Sequence, residues 1–368
     1  TRDSLLLRMG TAAFDRLSQS RPELTRQLAG SIATRLRDRT AGVTSIRRSF
    51  RTIALLPLDP GPATRDLADR LVAAFTPRGA ARVLTAADLS GIDGIELPAR
   101  IGAPVTAGLV DWLSQQEDQH RCVVYVADPG ATPWSDVALR HADLVLLVAD
   151  AAGTATRREW EAPLLDAPHG PVAPQALLLL HHGRPNTLSG TAAWLRNRPT
   201  DFNLHLRDGV PADFARLARI LGGSALGLVL GGGAARGFAH LGVYKALVEA
   251  GHAIDWVGGS SIGSVMGAAI ALDLPPDEAI ARARTAFVGG KPFGDLTLPV
   301  VSLLRGRRME RLIGEYLAGE IEDLPLPYFC LSSGLGSGQT RVHDRGSLPQ
   351  ALRASVSLPG VFPPAVID

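Results

Sequence analysis

The sequence predicts an α/β protein: two consecutive three-layer α/β/α modules with mostly parallel sheets, preceded by a short helical segment. Three observations predict it. Short apolar runs alternate with helix-period segments from residue 52 to 221, and such alternation builds a parallel, doubly wound sheet. The alternation resumes after Ser224, where two apolar strands each break into a glycine turn that opens a helix. The start of the chain keeps one period: Phe14, Leu17, Leu24, Leu28, Ile32 and Leu36 recur at helical spacing, with Pro22 placed to open a helix. The expected division is 1–45, 49–222 and 224–368.

In the middle segment the runs 53–58, 82–84, 122–127, 144–149, 176–180 and 202–206 read as strands. They are apolar throughout rather than alternating, as strands buried on both faces require. Helical patterns at 63–75, 107–116, 134–141, 156–165 and 213–221 lie between them. No nucleotide-binding glycine pattern follows any of these strands. Gly290-Lys291 is not a P-loop either, since Pro292 follows and no glycine stands at the required spacing upstream. The middle segment is therefore expected to be a module of unknown ligand with a regulatory role.

After Ser224, a strand at 227–230 runs into Gly231-Gly232-Gly233-Ala234-Ala235-Arg236-Gly237, and 238–250 follows as a helix. A second strand at 254–257 runs into Gly259-Ser260-Ser261-Ile262-Gly263, followed by a small, apolar helix at 264–272. Pro275-Pro276-Asp277-Glu278 opens another helix, with acidic side chains suited to its N-terminal dipole. The 307–317 segment is amphipathic, with Met309, Leu312, Ile313, Tyr316 and Leu317 on one face. Residues 328–332 read as a strand and 334–338 as a flexible loop.

The two glycine turns belong together. The first offers backbone N–H groups at a helix N-terminus, a cradle for negative charge. The second matches G-x-S-x-G, a strand-to-helix turn that exposes a serine hydroxyl. With 39 glycines in 368 residues, chance alone gives roughly one such pentapeptide in five chains, so the flanking strand and helix carry the assignment. A serine nucleophile and an oxyanion cradle are the two halves of an acyl-transfer site. The plainer alternatives are that Ser261 caps a helix and that the glycine run is a turn without a ligand.

These two runs, together with Arg353-Ala354-Ser355-Val356-Ser357-Leu358-Pro359-Gly360-Val361-Phe362-Pro363-Pro364, resemble a patatin-like phospholipase domain. The resemblance spans about 224–368 and is closest to bacterial relatives of neuropathy target esterase, in which the middle segment also appears. It implies a lipid acyl hydrolase with a Ser–Asp dyad and no histidine base. Ser261 would be the nucleophile, and the N–H groups of Gly232, Gly233 and Ala234 the oxyanion hole. Gly231, Arg236 and Gly237 would hold the loop, and Gly259 and Gly263 would shape the elbow. Ala234 stands where the family has glycine. The family's aspartate lies in an Asp-Gly-Gly or Asp-Gly-Ala motif beyond the Pro-Pro block, so the expectation is that it falls after residue 368. Asp368 corresponds to an earlier, non-catalytic Asp-Gly turn. The 1–45 segment resembles the tail of a cyclic-nucleotide-binding domain, which implies a cyclic nucleotide on a domain upstream.

Composition bounds the partners. Lys+Arg 38 against Asp+Glu 36 carries no nucleic-acid footprint, and the histidines lack metal-ligand spacing. No cofactor or metal is expected. Lysine occurs only at 245 and 291, which reads as coding bias. Cys122 and Cys330 lie in apolar runs and read as buried thiols of a reducing compartment. No signal-peptide or membrane-span pattern appears. The expected substrate is a phospholipid or lysophospholipid, met from the cytoplasm with peripheral contact at the inner face of the membrane. Arg47-Arg48-Ser49-Phe50-Arg51 is basic but too short for firm anchoring.

Three alternatives are weighed. A dinucleotide fold would place its ribose-binding acid at the end of the second strand, whereas Asp255 precedes Trp256-Val257. A Ser-His-Asp triad would have to draw on Asp323 and His343, or on His240, whose spacing from Gly237 suggests that it packs on the sheet. A non-catalytic lipid-binding or nucleotide-regulated module stays open.

Overall fold

The computed structural model describes residues 50–60, 63–183, 187–298 and 301–367. The 1–45 segment, with its cyclic-nucleotide reading, lies outside the described residues, as do Arg47, Arg48 and Asp368.

β1 (Thr52–Pro57) shows why the middle segment folds as it does. Its side chains alternate between two cores: Ile53 and Leu55 enter one, Ala54 and Leu56 the other. β4 (Leu144–Asp150) repeats this, with Leu144, Leu146 and Val148 on one side and Val145, Leu147 and Ala149 on the other. A strand buried on both faces must be apolar at every position. With β2 (Ala81–Leu84), β3 (Cys122–Val126), β5 (Gln175–His181) and β6 (Phe202–Arg207) they form one sheet in the order β2-β3-β1-β4-β5-β6. Every pairing in it is parallel.

Helices close both faces. α1 (Ala63–Phe75) contributes Leu67 and Leu71 to one core, and α6 (Pro211–Leu221) adds Leu217 and Leu221. On the other face lie α2 (Ala107–Gln119), α3 (Pro133–His141), α4 (Glu161–Leu165) and α5 (Thr191–Leu195). α4 is shorter than the helix expected at 156–165. Guanidinium groups occupy the carbonyls that would have begun it: Arg158 bonds the carbonyls of Thr154 and Thr156, and Arg198 that of Ala155.

The second sheet has four strands, in the order β10-β9-β8-β7. β7 (Gly227–Leu230), β8 (Trp256–Ser260) and β9 (Tyr328–Ser333) are parallel; β10 (Thr340–His343) runs antiparallel to β9. One face builds a single core with α7 (Phe238–Glu249), α8 (Ile262–Ala271), α10 (Arg307–Tyr316) and α11 (Leu348–Val356); α9 (Pro276–Arg284) adds Ala283. On the opposite face Trp256 packs against the first module's core, its ring edge-on to Phe202 at 5.9 Å. Val229 and Val342, on that same face, are exposed. Among the described residues no helix is long and apolar enough to cross a membrane. Cys122 and Cys330 are buried and unpaired, and burial pushes the thiols up to about 12 and about 11.

Candidate active site

β8 ends at Ser260, and α8 begins at Ile262. The single residue between them, Ser261, takes φ 55 and ψ −129. Only glycine adopts φ > 0 without steric cost, so a serine held there marks a position fixed by its surroundings. Three contacts do the fixing. The Ser261 N–H donates to Ser355 Oγ on α11 (2.8 Å). The Ser261 carbonyl accepts from Ser264 Oγ (2.5 Å), and the Ser264 carbonyl accepts from the buried Tyr328 hydroxyl (2.7 Å).

The glycines around the elbow are required by close approach. A Cβ on Gly263 would lie 2.2 Å from the Leu230 carbonyl oxygen, and one on Gly259 would lie 2.3 Å from that of Gly263. A Cβ on Gly237 would fall 2.4 Å from Ile262 Cγ1. These absences of side chain let β7, β8 and the start of α8 converge. Gly232 then lies against the serine: a Cβ on it would sit 3.3 Å from Ser261 Cβ.

The glycine loop is open toward the serine. Gly232 and Gly233 lie between elements, and their N–H groups donate to no acceptor among the described residues. Ala234 opens a 3₁₀ turn (Ala234–Gly237), so its N–H also lacks an intrahelical acceptor. Ala234 adopts φ 48, which is the strain that alanine in place of glycine implies. Arg236 acts on the loop through its backbone, its N–H donating to the Gly233 carbonyl (3.1 Å), while its exposed side chain makes no hydrogen bond to the loop among the described residues. The His240 side chain does, donating from Nε2 to the Gly231 carbonyl (2.9 Å). The spacing argument that set His240 against the sheet is thereby corrected; the first turn of α7 brings its ring back over the loop.

No side chain among the described residues hydrogen-bonds to Ser261 Oγ. The histidine triad is not assembled. His343 Nε2 is paired with Ser332 Oγ at 2.7 Å, and Asp323 accepts from the Thr191 N–H. Burial, with Arg341 nearby, holds His343 below the ordinary imidazole range. Asp255 is fully buried and accepts from Arg219 Nη2 (2.7 Å), Arg219 Nε and the Leu226 N–H, which leaves it unable to serve a ribose.

This pairing brings in the middle module. Asp255 immediately precedes β8, and Asp273 follows α8. Asp273 accepts from Arg216 (3.1 Å) on α6 and from Arg207 on β6. Arginines of the first module therefore grip the strand–elbow–helix unit at both ends. Neither Ser355 nor these arginines could be assigned from sequence, because the contacts join residues far apart in the chain.

A mostly parallel α/β sheet whose strand runs through a strained serine turn into a buried helix, with a glycine loop beside it, defines the class: an α/β protein with a G-x-S-x-G strand–turn–helix. Residues 49–207 match the neuropathy target esterase family P-loop-like domain, and residues 228–368 match the patatin-like phospholipase family. The chain belongs to the neuropathy-target-esterase type of patatin-like phospholipases. It is 31% identical to the lysophospholipase NTE1 of Mycosarcoma maydis, over 99% of this chain and 23% of the relative. It is 38% identical to human patatin-like phospholipase domain-containing protein 6, over 72% of this chain and 22% of the relative. The rat patatin-like phospholipase domain-containing protein 7 is 37% identical, over 70% of this chain and 21% of the relative. The chain thus spans less than a quarter of the length of these relatives.

Proposed function

We propose that this chain carries the acyl-transfer site of a serine lipid hydrolase acting on phospholipid or lysophospholipid esters. One observation carries the reading: a hydroxyl held at a strained backbone position lies against a loop, and neither the hydroxyl nor the loop N–H groups have a partner among the described residues. In the reaction Ser261 Oγ attacks the ester carbonyl carbon. The carbonyl oxygen takes the negative charge and accepts from the N–H groups of Gly232, Gly233 and Ala234, which need no reorganisation to receive it. The C–O bond to the lipid alcohol breaks, the alcohol leaves with a proton, and water hydrolyses the Ser261 ester to free fatty acid.

The base we assign to the aspartate of an Asp-Gly motif C-terminal to Pro363-Pro364, as the family resemblance implies. Burial of α8 supports the arrangement, since its N-terminus adds positive potential at the serine. Peripheral contact with a cytoplasmic membrane face is part of the same proposal.

Fluorophosphonate labelling with peptide mapping tests it, on this chain and on one extended through the next Asp-Gly motif. Label on Ser261 in the extended chain, lost in Ser261→Ala, is the expected result. Label in both chains would place a base within these residues and remove the Ser–Asp assignment. No label in either would overturn the hydrolase reading.

A further inference from the structure

The described residues on either side of a bridge at Leu296 and Leu304 expose an unusual number of apolar side chains. Leu296 and Leu304 pair as an antiparallel bridge, and the Thr297 N–H donates to the Leu303 carbonyl. Beside these bonds Leu296 is 74% exposed, Leu298 82%, Val301 67% and Leu303 50%, while Leu304 turns into the core. The polar side chain points inward. Ser302 is buried, its hydroxyl turned to the Leu304 carbonyl (2.8 Å). Phe293 and Leu358 extend the same apolar exposure. Water disfavours this arrangement by the transfer energy of each side chain, and a contiguous exposed patch of this kind marks an interaction surface.

Cations gather at its base. Arg305 follows the bridge directly, and Arg307, Arg308 and Arg311 line the outer side of α10. Lys291 is tied in through the Gly294 N–H bond to its carbonyl, and the Arg308 N–H bonds Asp295 Oδ2. Among the described residues none of these five cations is in an ion pair, although Glu310 and Glu315 are exposed on the same helix. Arginines that join elements elsewhere are paired, as at Arg140, Arg198, Arg207, Arg216 and Arg219. An exposed apolar patch beside five cations, which outnumber the carboxylates of Asp295, Glu310 and Glu315, is complementary to an anionic lipid surface: the apolar side chains enter the headgroup boundary while the cations meet the phosphates.

The patch is joined to the elbow. The Leu303 and Leu304 N–H groups donate to the Gly360 and Val361 carbonyls. That segment continues from α11, whose Ser355 receives the Ser261 N–H. We propose that Phe293, Leu296, Leu298, Val301, Leu303 and Leu358, with the cations around Arg305, form the surface by which this chain seats on anionic membrane. The inference rests on the lipid-hydrolase reading for what the seating serves, not for the seating itself.

Co-sedimentation with phosphatidylcholine vesicles, with and without phosphatidylserine, tests it on the full chain. The protein should pellet with the anionic vesicles, less so at raised salt. Leu298→Asp with Val301→Asp, and separately Arg305→Glu with Arg307→Glu, should each weaken binding about tenfold or more. All four positions are exposed, so thermal melts should be unchanged. Ser261→Ala should bind as the parent does. Parent-like binding by both double variants, or no vesicle binding by the parent, would overturn the proposal. So would a Leu298/Val301 variant that only turned a dimer into a monomer in sedimentation velocity. Vesicle binding without Ser261 labelling would break the hydrolase reading and leave this surface standing.

Discussion

The carboxyl ends of the two parallel sheets, compared side by side, differ in how they are finished. In the first module the strand ends carry charged side chains held in pairs. Arg158 pairs with Asp59, and His182 lies between Asp150 (3.1 Å) and Asp208 (2.9 Å). Where the chain there needs a positive φ it uses glycine, as at Gly130, Gly183 and Gly209. In the second module the same edge carries N–H groups and a hydroxyl without partners among the described residues, with Ala234 and Ser261 themselves at positive φ. All four non-glycine residues with positive φ among those described lie after residue 230. The same architecture thus closes one edge with ion pairs and holds the other in strained backbone. Two of those four residues, Ala234 and Ser261, sit at the proposed acyl-transfer site.

The sharpest way to break this comparison is through the ion pairs. His182 is exposed between its two carboxylates, and His182→Ala should change stability by no more than about 0.5 kcal/mol. Arg219 compensates a fully buried carboxylate at the foot of β8. Arg219→Ala leaves Asp255 buried and uncompensated, which costs about 3–5 kcal/mol. Urea melts of the two variants measure both. Equal losses would mean that the first module's edge bears as much of the fold as its grip on the elbow.

A second test lies in pH, where the two regions carry opposite signs. His181 Nε2 donates to His205 Nδ1 (3.0 Å), and His205 Nε2 donates to the Glu322 carbonyl of the second module (2.8 Å). Burial pushes His205 down to about 4, from an ordinary 6.5, and lowers His181 as well. Between those values the unfolded chain binds the proton and the folded chain does not. Stability from this seam is therefore full above 6.5 and lost as pH falls toward 4. The loss amounts to roughly 3 kcal/mol for His205 alone. His182 runs the other way: hydrogen bonds to Asp208 and Asp150 raise it, so its contribution is present at low pH and fades as pH rises through its raised value. Its exposure keeps that term small. Denaturant melts across this window should show a net acid loss, reduced in His205→Gln, whose amide can keep both hydrogen bonds. A flat profile would mean that the imidazole relay does not join the modules.

Much of this architecture is legible in the sequence because its signals are local. β7 and α1 fall where 227–230 and 63–75 were expected, since glycine turns and apolar runs bound them without outside help. The elbow is legible for the same reason: Gly259, Ser261 and Gly263 are neighbours in the chain. What the sequence could not display is tertiary. β8 begins at Trp256 rather than at 254, because Asp255 is drawn off to Arg219. α4 loses its first turn to the side chains of Arg158, inside that turn, and of Arg198, beyond α5. α11 had a signal in the spacing of Leu348, Ala351, Leu352 and Val356, all buried, but a motif read as a block conceals the helix inside it. Ser355 and His240 act on the site through contacts whose partners no local pattern names.

The smallest expected effect concerns the strain itself. Ser261 at φ 55 and ψ −129 occupies a region that glycine enters freely and serine does not. Its N–H bond to Ser355 and its carbonyl bond from Ser264 belong to the backbone and survive removal of the side chain. The hydroxyl has no partner among the described residues to lose. Ser261→Gly should therefore raise stability by about 1 kcal/mol, offset in part by greater freedom of the unfolded chain. Ser261→Ala, which keeps the Cβ and hence the strain, should leave stability near that of the parent. Paired thermal melts separate the two. If glycine gave no gain over alanine, the elbow would be relaxed, and the contrast between an ion-paired edge and a strained one would fail at Ser261.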